Sequence, residues 1–293
     1  MKKQLIPLVV GIFLLVSQIA IMVAYSVDTN LKTEKKIVPK RILLHFESRG
    51  KPADTPGNGP GNGNGNGGGG GGSDDTSGGS SGSGDKYALV IGISDYEGTS
   101  NDLEYCDDDA RDWADYLKSL GYQVKILLDS QATADAITDA INWLLSVEDS
   151  PDDAIVFAYS GHGYHDPSYG SMIISHDMVG ITESYFDDAF SQLDSQHAFF
   201  FFDACQIGGM KVLADTEVGR YVAMASNEHS YSYDGTSDMQ NGIFTYYFLE
   251  DGIKQKGYQY MEDAFDYAAK MCKKVRPDMK PTEADTFSGG LEL

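Results

Sequence analysis

The sequence predicts an α/β domain running from Asp85 to the end of the chain, a mostly parallel sheet with helices on both faces, and three observations lead there. Short runs rich in β-branched and aromatic residues recur, among them KYALVIGI over residues 86–93 and HAFFFF over 197–202. Between these runs lie segments whose apolar residues repeat at helical spacing. The connections are long enough for the crossover of a dozen or more residues that parallel strands need.

In order, residues 86–93 form the first strand, which ends near the turn-forming Ser94 and Asp95. Residues 107–120 form an amphipathic helix through Ala110, Trp113, Ala114 and Leu117, with Gly121 just past its end. Residues 124–128 give a second strand, and Thr133 is the N-cap of a helix reaching about Leu145. Residues 154–159 give a third strand, 171–175 a minor one, 182–193 a helix, 197–202 the fourth main strand and 222–225 another. Helices over 242–251 and 260–275 complete the cover. Ligands of such sheets gather at the carboxyl ends of the strands.

The N-terminal part reads differently. No charged residue occurs between Lys3 and Asp28, and the apolar stretch is long enough to cross a bilayer at roughly 20 residues per span. Residues 1–28 therefore read as a signal anchor, with a cleaved signal peptide as the competing reading because Ala24 and Ser26 are small. Residues 29–84 join a basic stretch to a Gly/Asn/Ser-rich run with no residue able to anchor a core, the composition of a disordered tether. Lysines beyond the apolar segment blur the charge bias that sets orientation, but the amino-terminal arm is short. The expected location is thus membrane-anchored or secreted, with residues 85–293 as an extracytoplasmic domain.

The formal net charge is −22, yet residues 1–84 carry nine Lys/Arg against six Asp/Glu, so the acidity belongs to the body. An acidic body repels nucleic acid and favours cationic substrates, although solvation alone accounts for most of its carboxylates. Cys106, Cys205 and Cys272 show no CxxC spacing, which argues against a disulfide framework or zinc ribbon. His165, His176, His197 and His229 show no metal-ligand spacing and read as ordinary loop or strand residues.

Two loops carry chemistry. After the third strand comes Tyr159-Ser160-Gly161-His162-Gly163, where flanking glycines suit an exposed imidazole that must approach a substrate. After the fourth comes Asp203-Ala204-Cys205-Gln206-Ile207-Gly208-Gly209, where a thiol can meet solvent while nearby backbone N–H groups face a developing oxyanion. Successive strands ending this way would bring thiol and imidazole to one rim, as a Cys–His nucleophilic pair requires.

Ser-Gly-His-Gly followed by Asp-Ala-Cys resembles the caspase-like superfamily, and within it the metacaspases and their prokaryotic relatives. Asp203 stands where caspases have glutamine, and the pattern Asp-x-Cys-x-x-Gly is similar to that of metacaspases. The resemblance runs over residues 86–293 and includes Gly242-Ile243-Phe244-Thr245. It implies the caspase-like three-layer sandwich and a cysteine endopeptidase with Cys205 as nucleophile and His162 as acid/base partner. It further implies backbone oxyanion donors at Gly163 and Cys205, with no third triad member evident. Asn101 to Ala110 is similar to a family motif, with Tyr105 in place of a glycine, and this implies a first pocket for Arg or Lys built from Asp109, Ser160 and Asp203. Chemistry agrees, because a buried guanidinium or ammonium needs a charge partner.

The resemblance requires no cofactor, while offering a calcium site at Asp177 and Glu183, with Ser184 where a second consecutive acid would stand. The expected partners are protein or peptide substrates with Arg or Lys and, through the N-terminal segment, a membrane. Lys211 and Arg220 are candidate autocleavage positions, and residues 226–234 read as an irregular loop. The competing readings are a catalytically silent caspase-like peptide-binding or scaffold module at the membrane and a flavodoxin-like cofactor binder. No phosphate-cradling glycine motif follows the first strand to support the latter.

Overall fold

Four consecutive phenylalanines in one strand leave no polar face, so that strand must be covered from both sides. The computed structural model describes residues 84–215 and 217–293, and in it this strand lies inside a six-stranded sheet. The readings of residues 1–28 and, Gly84 apart, of 29–84 lie outside the described residues. The elements are β1 (Lys86–Gly92), α1 (Cys106–Ser119), β2 (Gln123–Leu128), α2 (Ala134–Val147), β3 (Ala154–Ser160), β4 (Gly163–Asp166), β5 (Gly170–Ile174), β6 (Gly180–Thr182) and α3 (Glu183–Phe190). There follow β7 (His197–Asp203), β8 (Arg220–Met224), α4 (Ile243–Thr245, continuing as a π-helix over Tyr246–Lys256), α5 (Met261–Val275) and β9 (Thr282–Asp285).

The sheet order is β2-β1-β3-β7-β8-β9, with every pair parallel except β8 with β9. Along β7, Phe200 and Phe202 pack toward α2 and α3, whereas Phe199 and Phe201 pack toward α1, α4 and α5. This alternation is the two-residue period of a strand, and it makes the three layers. The aromatic contacts are close on both sides: Phe200 meets Phe190 at 4.9 Å between ring centroids, and Phe201 meets Phe244 at 5.1 Å. Thr133 caps α2 as expected, its Oγ1 accepting from the Ala136 N–H at 3.2 Å.

Two features differ from the sequence-based expectation. The minor strand over 171–175 is the middle of a separate antiparallel sheet, β4-β5-β6, and β9 adds an antiparallel edge to the main sheet. These added strands are three or four residues long, too short for alternation to register as a pattern. The small sheet rises directly from the His162 loop, and so it helps to build the site.

Candidate active site

Strands β3 and β7 run parallel in a register that pairs Ser160 with Asp203. His162 and Cys205 each stand two residues beyond that pair, at the same rim. The two loops are stapled: the Gly161 N–H donates to the Asp203 carbonyl at 3.2 Å. Gly163 lies so close to the nucleophile loop that a Cβ there would come within 2.3 Å of the Cys205 carbonyl oxygen, which excludes any side chain. Gln206, next to the cysteine, has φ +53, an uncommon left-handed backbone for a residue other than glycine. Surrounding bonds hold it there, its N–H donating to the Ser230 carbonyl at 2.9 Å and its carbonyl accepting from Ser171 Oγ at 2.8 Å.

Neither the thiol nor the imidazole is as open as the glycines suggested. Cys205 is 6% exposed, with its thiol directed at the Ser232 carbonyl 3.5 Å away. His162 is half-buried because the Tyr96 ring lies against it, 4.6 Å between centroids. The loop between β1 and α1 covers the imidazole, and that loop also supplies a group for which the sequence had no signal. His162 Nε2 lies 2.7 Å from the Asn101 carbonyl oxygen. A carbonyl only accepts, so Nε2 carries the proton in the neutral ring and Nδ1 is the basic nitrogen. A main-chain oxygen thus does the orienting that a third side chain performs elsewhere.

The three pocket residues also converge. Asp109 and Asp203 are fully buried, and Ser160 is nearly so. Asp109 accepts from Ser160 Oγ at 2.6 Å and from the Gly242 N–H at 2.9 Å. Asp203 accepts from Ser232 Oγ, from the Thr245 N–H at 3.0 Å and from Thr245 Oγ1 at 2.9 Å. Gly242 lies between the two carboxylates: a Cβ on it would meet Asp203 Oδ2 at 2.4 Å and Asp109 Oδ2 at 3.0 Å. Of the three acids that open α1, Asp107 and Asp108 pair with Arg111, whereas Asp109 is buried. Tyr105, in place of the glycine, precedes α1 and donates to Glu104 at 3.0 Å.

The arrangement of thiol, imidazole and paired buried acids fits a match along the sequence: the family pattern described as caspase domain covers residues 85–288. The chain belongs to the caspase-domain family. Caspase-domain relatives include metacaspase-1 of Debaryomyces hansenii, 34% identical over 122 residues, which is 38% of this chain and 25% of that protein. Metacaspase-1 of Candida albicans is 40% identical over 90 residues, 28% of this chain and 20% of that protein. The chain thus spans about a quarter of the length of the curated relatives it matches. A crystal structure of a Geobacter sulfurreducens protein superimposes with a TM-score of 0.58 over 71% of this chain and 97% of that one, at 17% identity, a likeness of fold. Membership of the caspase-domain family gives residues 85–288 a cysteine-peptidase fold, similar in part of its length to metacaspases.

The candidate calcium ligands are engaged within the protein. Asp177 accepts from the Ala134 N–H at 2.8 Å and from Ser175 Oγ at 2.6 Å, capping the start of α2. Glu183 accepts from the Ser171 N–H at 2.6 Å, beneath the turn at Gly209. Among the described residues no group of three or more His, Cys, Asp or Glu is gathered to hold a metal ion. Arg220 is not an accessible cleavage position: it is 2% exposed and donates to the Phe190 carbonyl at 2.7 Å. Lys211 lies in a short 3₁₀ helix with its side chain exposed and ion-paired to Glu228 at 3.4 Å. Cys106 and Cys272 are buried in α1 and α5 and belong to no disulfide.

Several contributors escaped sequence reasoning. Ser232 and Thr245 hold Asp203, Ser171 holds the Cys205 loop, and the irregular loop over 226–234 passes beside the thiol at Ser232. Serines and threonines carry no periodic signal, so only the fold reveals what they touch. His165 and His229 approach each other as well, 5.9 Å between ring centroids.

Proposed function

We propose that the domain is a cysteine endopeptidase that uses Cys205 and His162 and cleaves after Arg or Lys. The observation that carries the reading is the meeting, at one rim, of a thiol, an imidazole with Nδ1 left basic, and two buried carboxylates separated only by a glycine. His162 Nδ1 takes the proton of Cys205, and the thiolate attacks the carbonyl carbon of the scissile bond. The N–H groups of Gly163 and Cys205 receive the resulting oxyanion. Collapse expels the amine, which leaves with the proton from His162, and water then hydrolyses the thioester with the same imidazole as base. The substrate's guanidinium or ammonium is drawn by the charges of Asp109 and Asp203, with Ser160 fixing the first of these acids. No step requires a metal ion.

Purified protein is to be incubated with fluorogenic peptides ending in Arg, Lys, Asp or Leu, with calcium and with chelator. Turnover of the Arg and Lys peptides, lost in Cys205→Ala, is the expected result. Equal turnover of the Asp peptide defeats the pocket assignment. Silence under every condition favours a non-catalytic peptide-binding module, and activity only with calcium brings back the site at Asp177 and Glu183. Residues 1–28 are proposed to hold the enzyme at a membrane or to direct its export, which fractionation of cells making the full chain tests directly.

A further inference from the structure

Resting on the peptidase reading above, we infer that Tyr96 and Tyr159 are positioning residues for His162, gripping its main chain from both sides. The His162 N–H donates to Tyr96 Oη at 2.7 Å, and Tyr159 Oη donates to the His162 carbonyl at 2.7 Å. The two phenol oxygens are 3.3 Å apart. One assignment of protons satisfies all three contacts: amide to Tyr96, Tyr96 to Tyr159, and Tyr159 back to the carbonyl of the residue where the circuit began. The circuit is anchored to the small sheet, since the Ile174 N–H donates to the same carbonyl at 3.0 Å; the Ile174 carbonyl, 2.9 Å from Tyr159 Oη, is a second acceptor for that hydroxyl's one proton.

Two further observations support a purpose beyond packing. The Tyr96 ring also lies against the imidazole face at an interplanar angle of 42°, so one side chain restrains both the backbone and the ring of His162. Gly161 is shaped to this pair, for a Cβ there would come within 2.5 Å of Tyr159 Oη and 2.6 Å of Tyr96 Oη. The glycine before the histidine therefore admits the two hydroxyls, in addition to freeing the loop. Both tyrosines are all but fully buried, where hydrogen bonds are strong and unmade ones costly. Burial keeps the Tyr96 phenol well above the ordinary tyrosine range, so it remains a neutral hydroxyl throughout the working pH. Phenylalanine would fill the same space, but without the hydroxyls the His162 N–H loses the Tyr96 acceptor and its carbonyl loses the Tyr159 donor. The loop that carries Tyr96 also carries the Asn101 carbonyl on Nε2, so backbone, ring plane and tautomer are set together.

Tyr96→Phe and Tyr159→Phe in the full-length protein, compared with wild type, test this. The readouts are kcat and KM on an arginyl peptide, the thermal midpoint, and the pH dependence of Cys205 alkylation by iodoacetamide. Tyr96→Phe is expected to lower kcat about 10- to 100-fold with KM within about twofold, as misplacement of a catalytic group does. Its alkylation profile should shift along the pH axis, which loss of a merely structural bond would not produce. Wild-type kcat and an unshifted profile in a folded Tyr96→Phe overturn the inference. Should that variant fail to fold, Tyr159→Phe, which keeps the bond to the His162 amide, decides by the same readouts. If wild-type Cys205 alkylates like an ordinary thiol, with a profile unchanged by His162→Ala, the peptidase reading falls and this inference with it. A His162-dependent profile with unaffected tyrosine variants defeats this inference alone.

Discussion

Strands β3 and β7 have two unlike regions. Along their length they are hydrocarbon on both faces, with Phe157, Phe199, Phe200, Phe201 and Phe202 fully buried among other aromatic rings. At their carboxyl ends they turn abruptly into buried polar groups, with Ser160, Asp203 and Asp109 each engaged by hydrogen bonds from other elements. Burial is as complete at the rim as in the body, but its consequences differ. Apolar burial is non-directional and stabilises in proportion to area, whereas a buried carboxylate is tolerable only with donors in place and is then available to a cationic substrate. The body should therefore govern folding and the rim chemistry.

The sharpest break would come from the reacting groups. Cys205→Ala and His162→Ala are expected to lower kcat/KM on arginyl peptides by on the order of 10⁴-fold or more while leaving the thermal midpoint nearly unchanged. Any substantial residual turnover would place the nucleophile elsewhere. Next, Asp203→Asn should cost about 2–5 kcal/mol in kcat/KM for arginyl peptides, about 30- to 4,000-fold, by leaving the substrate's charge without one of its partners. A loss equally large for an uncharged first residue would show that Asp203 supports the loop instead of reading the substrate. On the other side of the contrast, Phe200→Ala should destabilise by about 3–5 kcal/mol in denaturant unfolding, yet leave kcat per folded molecule as in wild type. Altered kcat there would mean that body and rim are coupled.

The smallest effect concerns pH. Burial pushes the Glu183 carboxyl above the usual glutamate range, against the hydrogen bond it accepts from the Ser171 amide. A carboxyl that binds its proton more tightly folded than unfolded contributes stability in acid, and that contribution is lost as pH rises through its folded value. Glu183→Gln removes the titration and can keep the acceptor for Ser171. Its thermal midpoint relative to wild type should therefore climb from about pH 4 to about pH 7. A flat difference would mean that folding leaves the affinity of Glu183 for its proton unchanged.

Much of this contrast was legible in the sequence. Repeating strand and helix patterns predicted the layered sheet, because residues two or three to four apart announce their period. His162 between two glycines and Cys205 shortly before two more announced a rim, and the family resemblance implied the acids Asp109 and Asp203 beside it. The short strands β4, β6 and β9 lacked the length to show a period. The Asn101 carbonyl had no signal at all, since every residue has one.

By itself, then, the sequence determined the fold class and the elements that bring chemical groups to one sheet edge, because those depend on local periodicity and residue type. Tertiary structure alone decided that the thiol is largely covered, that a main-chain oxygen selects the imidazole tautomer, and that two tyrosines close a circuit around His162. These are contacts between residues up to 66 positions apart, and a hydrogen bond is specified by distance and angle in space, which no spacing along the chain encodes.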